Sequence, residues 1–224
     1  MGYYITFDGG SGTGKGTVIK EFENYLTGLG KKVKILRDNE IAPLRDHGAL
    51  MLPWCGKNDI VKSAFVFPLF VAGFRMTEQV VDEALCLNDF VLRDRSFVSS
   101  LAYRASPGDL DQYQIWDLFI NHMGLRVPDI AVITDCDVDT AMERESLRKQ
   151  ADKGLGGKMS GGRGNRVKIR ELFLKLPEVF DGKMNVVIVR NGGKFTDDKD
   201  AVARKIAKAA DKMITTMKRK GIKI

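Results

Sequence analysis

One ten-residue stretch constrains this chain more than any other: Asp8-Gly9-Gly10-Ser11-Gly12-Thr13-Gly14-Lys15-Gly16-Thr17. It follows an apolar run, Tyr3-Tyr4-Ile5-Thr6-Phe7, and leads into a helical pattern over 15–26. Gly9, four residues and then Gly14-Lys15 is the spacing of a phosphate-binding P-loop, and strand before, helix after is the setting that loop requires. Glycines permit positive φ and close backbone approach to a ligand. Successive N–H groups and a helix start then form a nest for anions. Lys15 adds a point charge for the β- and γ-phosphate oxygens. A nucleoside triphosphate is the expected ligand.

The rest of the chain agrees with such a loop. Short β-rich runs at 3–7, 32–36, 89–92, 130–134 and 186–189 are separated by helical patterns at 15–26, 59–87, 112–123, 137–149 and 199–218. Near-continuous apolar runs indicate strands covered on both faces. Strands alternating with helices predict a five-stranded parallel sheet with helices on both sides, the α/β architecture of P-loop proteins. No repeat or Pro/Ser-rich linker divides the 224 residues, so one domain over 1–224 is expected, with a glycine-rich insert at about 151–165. Pro68 inside the 59–87 pattern predicts two helices or a kinked one.

Composition narrows the partners. Hydrophobic residues make up 44% and charged residues 29%, an ordinary globular balance. Cys55, Cys86 and Cys136 form no CxxC pair, which points away from disulfides and zinc and towards a reducing, cytoplasmic setting. The longest apolar run, 64–73, is too short to span a bilayer and contains Pro68. No membrane partner is expected. Net charge is +7. One concentration is the tail, Lys218-Arg219-Lys220-Gly221-Ile222-Lys223, read as a solvated helix end rather than a nucleic-acid arm. The other, Lys153 to Arg170, has six basic residues, six glycines and no acid, and reads as a mobile basic lid meeting phosphates. His47 and His122 read as surface or packing residues, Trp54 and Trp116 as core or pocket wall, Met123 and Met142 as core filler.

A second stretch carries chemistry: Phe90-Val91-Leu92-Arg93-Asp94-Arg95-Ser96-Phe97-Val98-Ser99-Ser100-Leu101-Ala102-Tyr103-Arg104. An apolar strand delivers Asp94 and Arg95 to its C-terminal end, the edge where ligands bind in open α/β sheets. Asp94 suits a hydrated Mg²⁺, and Arg95 can take an acceptor phosphate bidentately. Gly16 stands where many P-loops place a hydroxyl on Mg²⁺, with Thr17 next. This GKGT form resembles adenylate and cytidylate kinases, whose metal leans on water and phosphate oxygens.

In order along the chain, these blocks resemble the thymidylate kinase family. DRSFVSSLAYRA stands for the family's DR(Y/H)xxSSxAYQG, Arg37 ends the second strand, and Leu69-Phe70-Val71-Ala72-Gly73-Phe74-Arg75 echoes its LF-x-A-x-R segment. The run from Pro128-Asp129 to Glu143-Arg144 matches PDLTxxLDxxPExALxR, and Arg166-Val167-Lys168-Ile169-Arg170 follows the lid as RVRxxYLxL does. The resemblance implies transfer of a phosphoryl group from ATP, with Mg²⁺, to a deoxynucleoside monophosphate, dTMP to dTDP, by a homodimer. It implies that Gly9 to Thr17 and Arg144 hold ATP, and that Arg37 and Arg95 grip the monophosphate with Asp94 beside the metal. Arg75 would hydrogen-bond the base and Phe70 stack on it. Ser99, Ser100, Tyr103 and Arg104 would line the base and sugar pocket. With no Arg in its P-loop, the chain would take transition-state cations from Arg163, Arg166 or Arg170, a contribution of about 10³ or more in rate.

The chain also departs from the family. REPGGT is replaced by Arg37-Asp38-Asn39-Glu40-Ile41, the Tyr of DRY is Ser96, the Gln of AYQG is Arg104, and Phe70 sits five residues before Arg75 rather than four. These touch base choice more than phosphate chemistry. The alternatives are a kinase for another or modified nucleotide, and a P-loop nucleotide-binding protein or nucleic-acid-stimulated ATPase.

Overall fold

In the computed structural model, the described residues are 1–37, 60–105, 110–151, 162–192 and the single positions 215, 218, 219 and 221, with the side chains of 60–70 and 148–151 excluded. The chain runs β1 (Tyr3–Gly9), α1 (Lys15–Gly28), β2 (Val33–Arg37), α2 (Ile60–Leu87), β3 (Phe90–Asp94) and α3 (Phe97–Tyr103). It continues through α4 (Gln112–Asp117) with a π-helical turn (Leu118–His122), β4 (Ile130–Asp135), α5 (Val138–Ala151), α6 (Arg163–Val179) and β5 (Val186–Arg190). The five strands form one parallel sheet in the order β2-β3-β1-β4-β5.

β1 lies at the centre, with Phe7 in register with Asp94 on one side and Val132 on the other. Its residues alternate between two cores. Ile5 and Phe7 pack with Val18, Ile19, Phe22 and Leu26 of α1, while Tyr4 packs with Val81 and Leu85 of α2. A larger cluster joins Phe74, Phe97, Leu101, Ile115, Phe119, Phe173 and Phe180 over the face bearing Ala131 and Ile133. Helices therefore cover both faces, which is why all six residues of β4 are buried. Trp116 belongs to this core, stacked on Phe180 with ring centroids 4.7 Å apart.

Several boundaries differ from the sequence reading. α2 is one helix through Pro68, which removes the two-helix alternative and leaves the single helix, since a proline takes only one backbone bond from 28 residues of helix. The helix expected over 112–123 changes to a π turn at Leu118, where Met123 N–H reaches back to the Leu118 carbonyl (3.0 Å). α3 has no counterpart among the periodic segments. The lid expected at 151–165 overlaps helix at both ends, because α5 runs to Ala151 and α6 begins at Arg163. Positions 152–161, His47, Trp54 and most of the helix expected over 199–218 lie outside the described residues. Met142 is exposed, not core, whereas Met123 packs against the core. His122 is exposed beside Asp117 (3.1 Å). No described helix is long and apolar enough to cross a membrane.

Candidate active site

The loop between β1 and α1 is held from three sides. Thr13 Oγ1 donates to the Gly10 carbonyl (2.9 Å) and lies 2.7 Å from Thr134 Oγ1, and Thr134 donates to the Asp8 carbonyl (3.1 Å). Asn191, just beyond β5, donates through Nδ2 to the Thr13 carbonyl (3.0 Å). α1 opens at Lys15 behind a left-handed Gly14, with no side chain capping its first N–H groups. Those donors and the helix dipole are what a phosphate needs. Lys15 is buried, its Nζ 3.2 Å from the Gly10 carbonyl and 3.4 Å from that of Gly9.

Two glycines are required here on steric grounds. A Cβ on Gly12 (φ +83°) would stand 2.1 Å from the Ala141 carbonyl oxygen, and one on Gly9 (φ +134°) 2.4 Å from that of Thr134. Both obstacles are backbone, so no rotamer relieves them. Gly12→Ala should therefore lose about 2–5 kcal/mol, the sum of a left-handed Cβ and an overpacked contact. Gly16, with nothing within 4 Å, marks the opposite case. Gly16→Ala should gain about 0.5–1 kcal/mol of helix stability. Thermal melts of both variants check the pair.

Beside the loop, β3 ends at Asp94, in register with Arg37 of β2. Arg95 follows with φ +71°, the one non-glycine with positive φ among the described residues. Its N–H donates to the Phe7 carbonyl (2.9 Å) and its Nη1 to the Gly9 carbonyl (3.3 Å), while the guanidinium lies over the Tyr103 ring at 5.7 Å. Such a conformation is sparsely populated and collects at functional sites. Ser99 Oγ donates to the buried Asp8 carboxylate (2.7 Å), Ser100 and Arg104 are half-buried on α3 and at its end, and Arg75 is exposed on α2. The Phe70 side chain lies outside the described residues.

The opposite wall is α6. Arg166 and Arg170 line an open cleft together with Gly10, Ser11, Thr13 and Tyr103. Each candidate lid cation faces a carboxylate. Arg170 meets Asp135 through two hydrogen bonds (2.6 and 3.0 Å), which raise its pKa above the ordinary arginine value. Arg166 pairs with the buried Glu145 (2.7 Å). Arg163, exposed and outside the cleft lining, holds Asp139 (2.8 and 2.9 Å), and that bond lowers the Asp139 pKa. Arg144 donates to the Asn191 carbonyl (3.1 Å), which sets it behind the loop. Burial raises the pKa of Cys136, whose thiol also lines the cleft.

Sequence reasoning assigned no role to Asp8, Arg93, Asn191 or the acidic partners of α6. Arg93 had a visible signal, a charge inside an apolar strand. It is 1% exposed, stacks over Phe74 at 5.4 Å and donates through Nε to the Arg95 carbonyl (3.1 Å). Asn191 and Asp135 gave no such signal, since Asn191 meets Thr13 of the loop and Asp135 meets Arg170 of α6 only once the fold is assembled.

The chain also resembles known proteins over most of its length. The model of the thymidylate kinase family matches residues 7–194. The thymidylate kinase of Geotalea daltonii is 29% identical over 210 residues, covering 88% of this chain and 92% of that protein. That of Geobacter sulfurreducens is 30% identical over 148 residues, covering 66% and 70%. That of Geotalea uraniireducens is 28% identical over 205 residues, covering 83% and 92%. With a phosphate cradle at the end of β1, an Asp–Arg pair at the end of β3 and a family match over most of its length, the chain belongs to the thymidylate kinase family.

Proposed function

We propose that the protein transfers the γ-phosphoryl group of ATP to dTMP, giving dTDP and ADP. The observation that carries this reading is the attachment of Arg95 to the loop itself, with its amide on Phe7 and its guanidinium on Gly9. A phosphate-binding cation at that place stands beside a triphosphate cradle, as transfer between two phosphates requires. An oxygen of the dTMP phosphate attacks the γ-phosphorus in line, and the β–γ bridging oxygen leaves with ADP. Lys15 and the loop N–H groups hold the donor. Arg95, with Arg37 on the neighbouring strand, holds the acceptor phosphate. Arg166 and Arg170, which line the cleft, supply cations for the transferring group by exchanging Glu145 and Asp135 for phosphate oxygens, whereas Arg163 stands farther out. Arg144 supports the ATP side. Arg75, Phe70, Ser100, Tyr103 and Arg104 are assigned to the base and sugar.

Among the described residues no three His, Cys, Asp or Glu side chains are grouped as a metal cage. Asp94, half-buried at the end of β3, and Thr17, exposed in the first turn of α1, are the oxygen donors that would hold a Mg²⁺ carried in on the nucleotide phosphates. The ion would neutralise charge on the β- and γ-phosphates. We also propose a homodimer, supported by Met76 and Leu87 exposed on α2. Sedimentation should then give twice the chain mass.

The test of the reaction is ADP release with ATP, Mg²⁺ and each common nucleoside monophosphate in turn. Preference for dTMP is expected. Preference for another base keeps the phosphate chemistry and moves the assignment of the pocket around Arg104. No diphosphate from any acceptor sinks the proposal.

A further inference from the structure

Asp8 is completely buried at the end of β1, yet the transfer chemistry leaves it without a task. Its carboxylate accepts three hydrogen bonds, from Ser96 N–H (2.9 Å), Ser96 Oγ (3.0 Å) and Ser99 Oγ (2.7 Å). Ser96 Oγ in turn accepts from Val98 N–H (3.1 Å) and caps α3. Through its carbonyl, Asp8 also accepts from Thr134, which touches Thr13 of the loop. One residue therefore joins the phosphate loop, the β3–α3 turn and β4. A buried carboxylate is costly unless fully hydrogen-bonded, and this one has donors on both oxygens.

The turn it holds is the one containing Arg95. Arg95 is fixed at its amide by Phe7 and at its carbonyl by Arg93, and the next residue is fixed twice by Asp8. Left-handed backbone at a bulky residue persists only where its surroundings over-determine it. We infer that Asp8 is a positioning residue that sets the distance between the triphosphate cradle and the Arg95 guanidinium. This rests on the reading of Arg95 as the acceptor-phosphate arginine, and it assigns to Asp8 an effect on the acceptor rather than on ATP. Asn in its place keeps the volume but offers one acceptor oxygen, and sets an N–H₂ against a serine hydroxyl.

The experiment uses the full chain with Asp8→Asn, alone and combined with Arg95→Gly. Misplacement of a binding group by about 1 Å can cost about 10²-fold, so kcat/KM for dTMP should fall by about that factor while the Kd for ATP stays within about 2-fold. Groups that act as a unit are non-additive, so in the Arg95→Gly background Asp8→Asn should add less than about 3-fold. A parallel loss of ATP affinity, a fully additive loss or no loss overturns the inference. If Asp8→Asn does not fold, Ser96→Ala decides: about 10-fold off the acceptor term alone supports it, and an equal effect on both substrates, or none, overturns it. Wild-type silence with every monophosphate would instead sink the kinase reading. The positional claim would then stand or fall on the crystal structure of Asp8→Asn, in which Arg95 should leave its φ of +71°.

Discussion

Lys15→Met should lower kcat with dTMP by about 10²–10³-fold and weaken ATP binding, while the melting temperature changes little. Removal of one preorganised donor to developing charge costs about that much in other transfer enzymes. Methionine retains most of the lysine stem, so packing at this buried position is kept. The Lys15 ammonium lies 3.4 and 3.2 Å from the carbonyls of Gly9 and Gly10, contacts at the long end for hydrogen bonds. Phosphate oxygens offer the same ammonium full negative charge, and the cation is withdrawn from carbonyl dipoles to meet them. Steady-state kinetics with a calorimetric ATP titration give the result. Activity within 10-fold of wild type would remove Lys15 from the transfer step.

Arg95 gives the second large effect, and it separates activity from stability. Both Arg95→Ala and Arg95→Gly should lose about 10²–10³-fold in kcat/KM for dTMP, since either removes the cation proposed to hold the acceptor phosphate. Their stabilities should differ in an order opposite to the usual one. At φ +71° a Cβ costs roughly 1–2 kcal/mol that glycine does not. Arg95→Gly should melt about 2–8 °C above Arg95→Ala, at about 2–4 °C per kcal/mol for a chain of this size. Arg95→Lys retains charge and strain but not the planar fork, and should recover only part of the acceptor affinity. Equal melting temperatures for the Ala and Gly variants would mean that the turn relaxes and stores no strain.

The five strands were legible because a parallel sheet covered on both faces demands continuous apolar runs, and Ile130 to Thr134 or Val186 to Val189 admit little else. The phosphate loop was legible because few other uses explain four glycines and a lysine between such a strand and a helix. Strand order was not, since the apolar runs carry no record of which neighbour each will choose. α3 escaped because seven residues give less than two full turns of periodicity, and what starts it, Ser96 bonded to Asp8, is a contact across 88 positions. The α6 arginines were visible as a basic run, but their partners were not. Asp135, Asp139 and Glu145 belong to another strand and helix, and only packing brings them within 3 Å of the cations.

The central place of β1 has a consequence for how the protein is made. The strand precedes both of its sheet neighbours by a long stretch of chain, β3 at Phe90–Asp94 and β4 at Ile130–Asp135. Tyr4 N–H donates to the Asp129 carboxylate (2.7 Å), 125 residues away, and the pairing with β4 starts at Ile5 and Ile130. At about 5–20 residues per second, synthesis of that interval takes roughly 6–25 s. Throughout it Tyr3-Tyr4-Ile5-Thr6-Phe7 has no β4 to pair with, and the loop lacks Thr134 and Asn191 to close on. The glycine loop is thus translated well before Thr134 and Asn191, which close it, and is among the last parts to be assembled. ATP in the cell can stabilise the finished sheet but cannot template its formation, and non-local pairing of this kind sets a slow, aggregation-exposed route to the native state.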